Sequence, residues 1–262
     1  MSYERVAAIV HHEWLGLRRN RQVLLGLAVL PILLTLFVIG FSAWGSNANP
    51  GSMNNGGSTP SELMGAPVTV QLVVQLNEMF EFFFLVMPAS YPLIIAATSI
   101  VQEKKAKSLE PLLASPITTT ELLLGKSVAA ALPSLVMCWG GVALCAAGLY
   151  FLAPPLVLAF FIRPAWVVAM SLLTPLLASL AGLLGVSVSS RATDEKAAGL
   201  WATLLMTVVF LLPCGLLISG RLLSLWALLG GALSVAALNW LVLRVAVRVF
   251  QREEILTRGA NT

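Results

Sequence analysis

Six long apolar stretches, at about 23–45, 80–101, 127–150, 165–188, 197–218 and 224–243, constrain this chain more than any other feature. A hydrocarbon core of about 30 Å takes roughly 20 apolar residues per helical crossing. None of the six carries Lys, Arg, Asp or His at mid-depth, and Glu81 alone stands near an end. Each central charge costs about 2.5–3.5 kcal/mol on an insertion scale where a Leu returns only a few tenths, so all six read as spans. Unbroken runs imply helices, because closed barrels show short alternating segments. Composition agrees, with 58% of residues hydrophobic and 11% charged, where a soluble domain has roughly a quarter charged. The expected fold class is all-α: an integral membrane bundle of six transmembrane helices over 23–243, preceded by an N-terminal interfacial amphipathic helix over 1–22 and followed by a tail over 244–262.

The first span follows about 22 residues and exceeds the roughly 7–15 apolar residues of a cleaved signal, so the mature protein is expected to keep it. Loops assigned by the six spans place Arg5, Arg18, Arg19, Arg21, Lys104, Lys105, Lys107, Lys126, Arg191, Lys196, Arg244, Arg248, Arg252 and Arg258 on one side, and only Arg163 and Arg221 on the other. The positive-inside rule puts the larger group and both termini in the cytoplasm, and the chain in the cell (inner) membrane. Trp44, Trp166 and Trp226 fall at expected outer ends and Trp201 and Trp240 at inner ends, the headgroup levels that indole prefers. Trp139 alone falls mid-span. The net charge of +4 is thus sidedness and affinity for membrane lipid; no clustered basic domain points to nucleic acid.

Within 3–17, Tyr3, Val6, Ile9, Val10, Trp14 and Leu17 share one arc of a helix and the charged residues lie largely opposite, the pattern of an interfacial helix. Glu13 falls inside the apolar arc, where it marks contact with protein in place of lipid. The adjacent His11 and His12 point about 100° apart and have no companion ligand, so they are not read as a metal site. Residues 46–67 have the composition of an outer loop, and 68–77, which alternates imperfectly between apolar and polar, reads as a short interfacial piece leading into the second span. Between the third and fourth spans, Pro154, Pro155 and Pro164 bracket a run too short to cross, expected to be a shallow re-entrant or interfacial segment. Ala178, Gly182, Gly185, Gly140, Gly141, Gly230 and Gly231 offer close helix approach. Pro31, Pro88, Pro92, Pro133, Pro175 and Pro213 kink or loosen their spans. Cys138, Cys145 and Cys214 lie in spans with no metal spacing and read as small packing residues.

The most informative stretch is 102–126, QEKKAKSLEPLLASPITTTELLLGK. Glu103, Lys104, Lys105 and Lys107 bring the second span out of the membrane, and Ser108 is placed to cap a short helix that tolerates Pro111 in its first turn. That helix presents Leu109, Leu112 and Leu113 together. Pro116 forces Ser115 to be extended and ends it. Thr118 and Glu121, three apart and ahead of Leu122, Leu123 and Leu124, form a capping-box pattern opening the third span. Apolar side chains held below the membrane call for a cover, a partner protein or the lipid headgroups.

This segment resembles the loop between the second and third spans of bacterial type 2 ABC exporter permeases. Glu103, Ser108, Leu109, Glu110, Leu112, Leu113, Ser115, Pro116, Ile117, Gly125 and Lys126 match that family's pattern, while Lys107 stands in place of its usual Gly and Pro111 is a departure. The resemblance implies a coupling helix at 108–114 seated on an ABC nucleotide-binding ATPase subunit, a connecting helix at 2–21 beside it, and a second copy of the permease or a sibling. It also implies a second, smaller contact through Arg191, Asp194, Glu195 and Lys196, which by itself reads as a solvated turn.

No G-x-x-x-x-G-K-[ST] occurs, so no phosphate cradle of that kind exists here; ATP and magnesium are expected on the partner, with no cofactor in this chain. HExxH and GxSxG are also missing, which argues against an enzyme. A stand-alone secondary transporter usually keeps ionisable groups near mid-membrane; Glu78 and Glu81 lie only at the outer entrance, facing outer water or guiding a cationic substrate. A structural membrane subunit is the other alternative, distinguished by having no ATPase partner. Apolar spans without a large outer domain favour an amphipathic or lipid-like substrate.

Overall fold

The computed structural model describes residues 3–19, 21–47, 67–105, 118–192, 194–218 and 225–249, and within them the chain is helical with no strand. The helices are α1 Tyr3–Arg19, α2 Arg21–Asn47, α3 Val68–Lys105, α4 Thr119–Leu152, α5 Pro155–Phe161, α6 Pro164–Val168, α7 Thr174–Arg191, α8 Glu195–Ile218 and α9 Leu225–Val249. A π-helical turn, Ala169–Leu173, joins α6 to α7. Among the described residues five stretches are long and apolar enough to cross a membrane: Leu25–Gly45, Val68–Gln102, Thr119–Leu152, Pro155–Arg191 and Trp226–Arg248. The expected span at 197–218 lies in α8, a helix of 24 residues.

The second expected span is part of a longer rod. α3 has 38 residues, about 57 Å at 1.5 Å per residue, so 68–77 continues the helix and is no separate interfacial piece. Val70, Val73, Val74, Asn77, Glu81, Phe84 and Leu85 are buried in steps of three and four, the helical period, and this outweighs the local β-like alternation.

α3 and α7 form the centre. They pack along each other, with α4 and α8 against α3, α2 against α4 and α3, α9 against α7, and α1 against α4. Gly182 and Gly185 permit this: a Cβ on Gly182 would lie 2.8 Å from the Ser127 carbonyl oxygen of α4, and one on Gly185 2.7 Å from the Leu93 carbonyl oxygen of α3. Gly140 and Gly230, grouped with them by composition, meet nothing within 4 Å among the described residues. Small residues serve close packing only where a partner backbone arrives, which no single-helix pattern reveals. Between the third and fourth spans, seven-residue α5 is too short to cross and buries Val157 and Phe161 while packing against α3.

Candidate functional site

At the basic end of the bundle, Thr118 and Glu121 make the expected capping box. The Thr118 Oγ1 accepts the Glu121 N–H at 3.2 Å and the Glu121 Oε2 accepts the Thr118 N–H at 2.9 Å. This closes two orphan donors and fixes where α4 begins. Glu121 is almost fully buried, and Arg5 of α1 lies 3.8 Å from the same carboxylate oxygen. One turn further on, Lys126 Nζ donates to Glu13 Oε1 at 2.6 Å; the Lys126 side chain is 2% exposed and that of Glu13 27%. Arg5, Ile9 and Glu13 stand four apart on one face of α1. Ile9 between them sits on Gly125, where a Cβ would come within 2.9 Å of its methyl group. Glu13, out of place in an apolar arc, is therefore the partner of the buried lysine that opens the third span. Val6, Val10 and Trp14 of the same arc line a groove against Val128, Leu132 and Val136 of α4.

The ends of α3 and α7 are stitched together at the same level. Ser189 Oγ accepts the backbone N–H groups of Ile100 at 2.9 Å and Val101 at 3.3 Å, and Val101, Ala192 and Ala198 pack in one buried cluster.

At the opposite end, Arg163 just before α6 donates from Nη1 to Glu78 Oε1 at 2.8 Å and from Nη2 to Glu81 Oε2 at 2.6 Å. The two acids were expected to face outer water or a cationic substrate. They instead clamp the interhelical loop onto α3, with the Glu81 side chain 5% exposed. Their i, i+3 spacing matches the fork of a guanidinium, and Arg163 is one of only two basic residues on that side of the sequence-derived topology. Trp166 differs from a headgroup-level indole too: it is buried, 6.4 Å from Phe161 between ring centroids, and its Nε1 and the Arg163 Nε have no partner among the described residues. Trp44, Trp201, Trp226 and Trp240 are exposed.

Mid-bundle Trp139 has a local cause. In the π turn Thr174 N–H bonds Ala169 O, so the next carbonyl in that pattern, Met170, faces Pro175, which has no N–H. Trp139 Nε1 donates to this carbonyl at 3.1 Å and Thr174 Oγ1 donates to it as well. Nearby, the buried Cys138 thiol donates to Phe84 O at 3.1 Å, and Cys145 is buried and, among the described residues, unpaired with sulfur.

The family model described as ABC-2 family transporter protein matches residues 7–251. The chain belongs to the ABC-2 transporter family. No significant match arises among the curated proteins or the solved structures. This ABC-2 chain is a multi-pass membrane protein of the permease type.

In this ABC-2 permease, Glu103 stands in the last turn of α3, while Ser108, Leu109, Glu110, Leu112, Leu113, Ser115, Pro116 and Ile117 lie outside the described residues. Arg191 ends α7 with its side chain exposed; Asp194 Oδ1 accepts the Ala197 N–H at 2.7 Å; Glu195 opens α8, and Lys196 is exposed. Sequence reasoning named Glu13 and Lys126 separately and missed that they meet. The available signal was a lone acid in an apolar arc and a lone lysine at the mouth of an apolar span.

Proposed function

We propose that this chain is the membrane permease subunit of an ATP-driven exporter, crossing the membrane six times with α8 as the fifth crossing and both termini in the cytoplasm. A separate nucleotide-binding ATPase carries ATP and magnesium. Residues 108–114 seat on that partner as a coupling helix, with Glu103, Ser115 and Pro116 at its margins. Asp194, Glu195 and Lys196, with Arg191 at the membrane edge, make a second, smaller contact. Two copies of the chain, or one and a sibling, enclose the path.

The observation that carries this reading is the family match from 7 to 251, which takes in the whole permease plan and the segment between α3 and α4. The packing supplies a route for force. A displacement of 106–117 acts on α3, the central helix, at one end and on the capped start of α4 at the other. Lys126 and Glu13 carry it to α1, and Ser189 carries it to α7 and the turn that follows. Closure of two ATPase subunits thereby biases which side the path faces.

The test is co-expression with the nucleotide-binding ATPase encoded nearest the gene, followed by retention on an affinity column in detergent. Wild type retains the ATPase, and Leu112→Asp combined with Leu113→Asp loses it at equal membrane insertion. Retention by neither folded protein would make the chain a stand-alone membrane protein.

A further inference from the structure

A cavity of about 500 Å³ opens at the basic end between α4, α7, α8 and α9. Its volume falls within the roughly 300–1,000 Å³ of ligand pockets. Leu184 of α7, Leu205 of α8, and Leu241 and Val245 of α9 form much of its wall, with Trp201 beside them. Arg191, the last residue of α7, stands at its edge with an exposed side chain. Seven residues separate it from Leu184, about 10 Å along the helix axis, so the pocket runs from a cationic rim into an apolar interior.

Beyond the rim the chain carries charges of both signs, with Asp194, Glu195 and Lys196 following Arg191. Lys196 is exposed in the first turn of α8, and Arg244, with its guanidinium carbon 3.8 Å from the Trp240 ring centroid, and Arg248 lie at the same end of α9. Asp194 is nearby in the chain, and its Oδ1 accepts the Ala197 N–H that begins α8.

Wall atoms facing a gap lose their dispersion contacts, so an apolar groove open to the bilayer favours an apolar chain that can reach it. Ser187 and Ser190 also line the hollow, but their hydroxyls donate to the Leu183 and Ser187 carbonyls, which leaves water few of the two to four polar partners it needs. The bilayer supplies acyl chains, yet lipid tails are as apolar as Leu, so the wall alone prefers no lipid over another. Preference must come from the rim, where a guanidinium offers a planar fork to a phosphate.

We propose that this groove holds one anionic phospholipid, its acyl chain against Leu184, Leu205 and Leu241 and its phosphate on Arg191. The assignment rests on α7 and α9 crossing the bilayer and is independent of any ATPase partner. Arg191, at the membrane edge of the second coupling turn, meets the lipid phosphate there, while Asp194, Glu195 and Lys196 make the proposed ATPase contact.

The test is native mass spectrometry of the full chain purified in detergent and offered equal amounts of phosphatidylglycerol and phosphatidylcholine with matched chains. Wild type retains phosphatidylglycerol about fivefold over phosphatidylcholine, the size of one basic residue's preference for anionic lipid. Arg191→Gln brings the ratio to near unity, Arg191→Lys keeps most of it, and Val245→Trp, which fills the hollow from an exposed position, lowers retention of both lipids. A wild-type ratio near unity, a ratio unchanged by Arg191→Gln, or undiminished binding by Val245→Trp overturns the proposal. Retention of neither lipid by wild type, the result if a second copy of this chain covers the groove, overturns it too. Each outcome is read without ATP, so failure here leaves the exporter reading to its own test.

Discussion

The inner helices α3 and α7 and the outer helices α2 and α9 are all apolar, yet they are used in opposite ways. In its apolar stretch α3 is 67% buried and Pro155–Arg191, which contains α7, 56%, whereas α2 is 28% and α9 17% buried, although α2 is the most apolar of them. Hydropathy therefore does not rank helices by burial in a membrane protein, because lipid accepts a Leu as readily as the core does. Small residues and polar pairs make the difference. The centre has Gly182 and Gly185 against backbone and Ser189 across to α3. The outer helices hang on a few polar links: Asn77 Nδ2 donates to Ser42 Oγ at 3.2 Å between α3 and α2, and Asn239 Nδ2 of α9 donates to Leu176 O at 3.0 Å.

The largest effect should come from leaving a charge on an inner helix. Arg163→Gln strands the buried Glu81 and should cost about 3–5 kcal/mol, as breaking one side of a buried ion pair does. Reversible unfolding in mixed micelles measures it; a loss below about 1 kcal/mol would show the cluster to be solvated and not a clamp. Next, Gly185→Ala should destabilise by about 1–3 kcal/mol through overpacking against Leu93 and Ala97 of α3. Gly230→Ala, in open space on α9, should be neutral or stabilising by about 0.5–1 kcal/mol. Equal effects at the two glycines in the same assay would dissolve the distinction between inner and outer helices. The smallest loss is expected for Asn239→Leu, about 0.6 kcal/mol and at most about 1.7, seen as easier proteolysis of α9 with the rest of the bundle intact. No change there would mean that α9 is held by apolar contact alone.

What the sequence determined on its own is what depends on local chemistry and on solvent. Long apolar runs without central charge dictate membrane helices, because backbone groups in lipid have to be satisfied within each segment, and five such stretches stand among the described residues. The motif from Glu103 to Lys126 pointed to the family that the match over 7–251 shows, and Thr118 with Glu121 foretold the start of α4 through a four-residue interaction. Only the tertiary structure decided which apolar faces are covered, which glycines meet a backbone, that Glu13 finds Lys126, and that Glu78 and Glu81 hold Arg163. The ion pairs among them join residues 82 to 113 positions apart. Hydrophobicity reports the exchange of a side chain between water and lipid and is nearly silent on the exchange between lipid and protein.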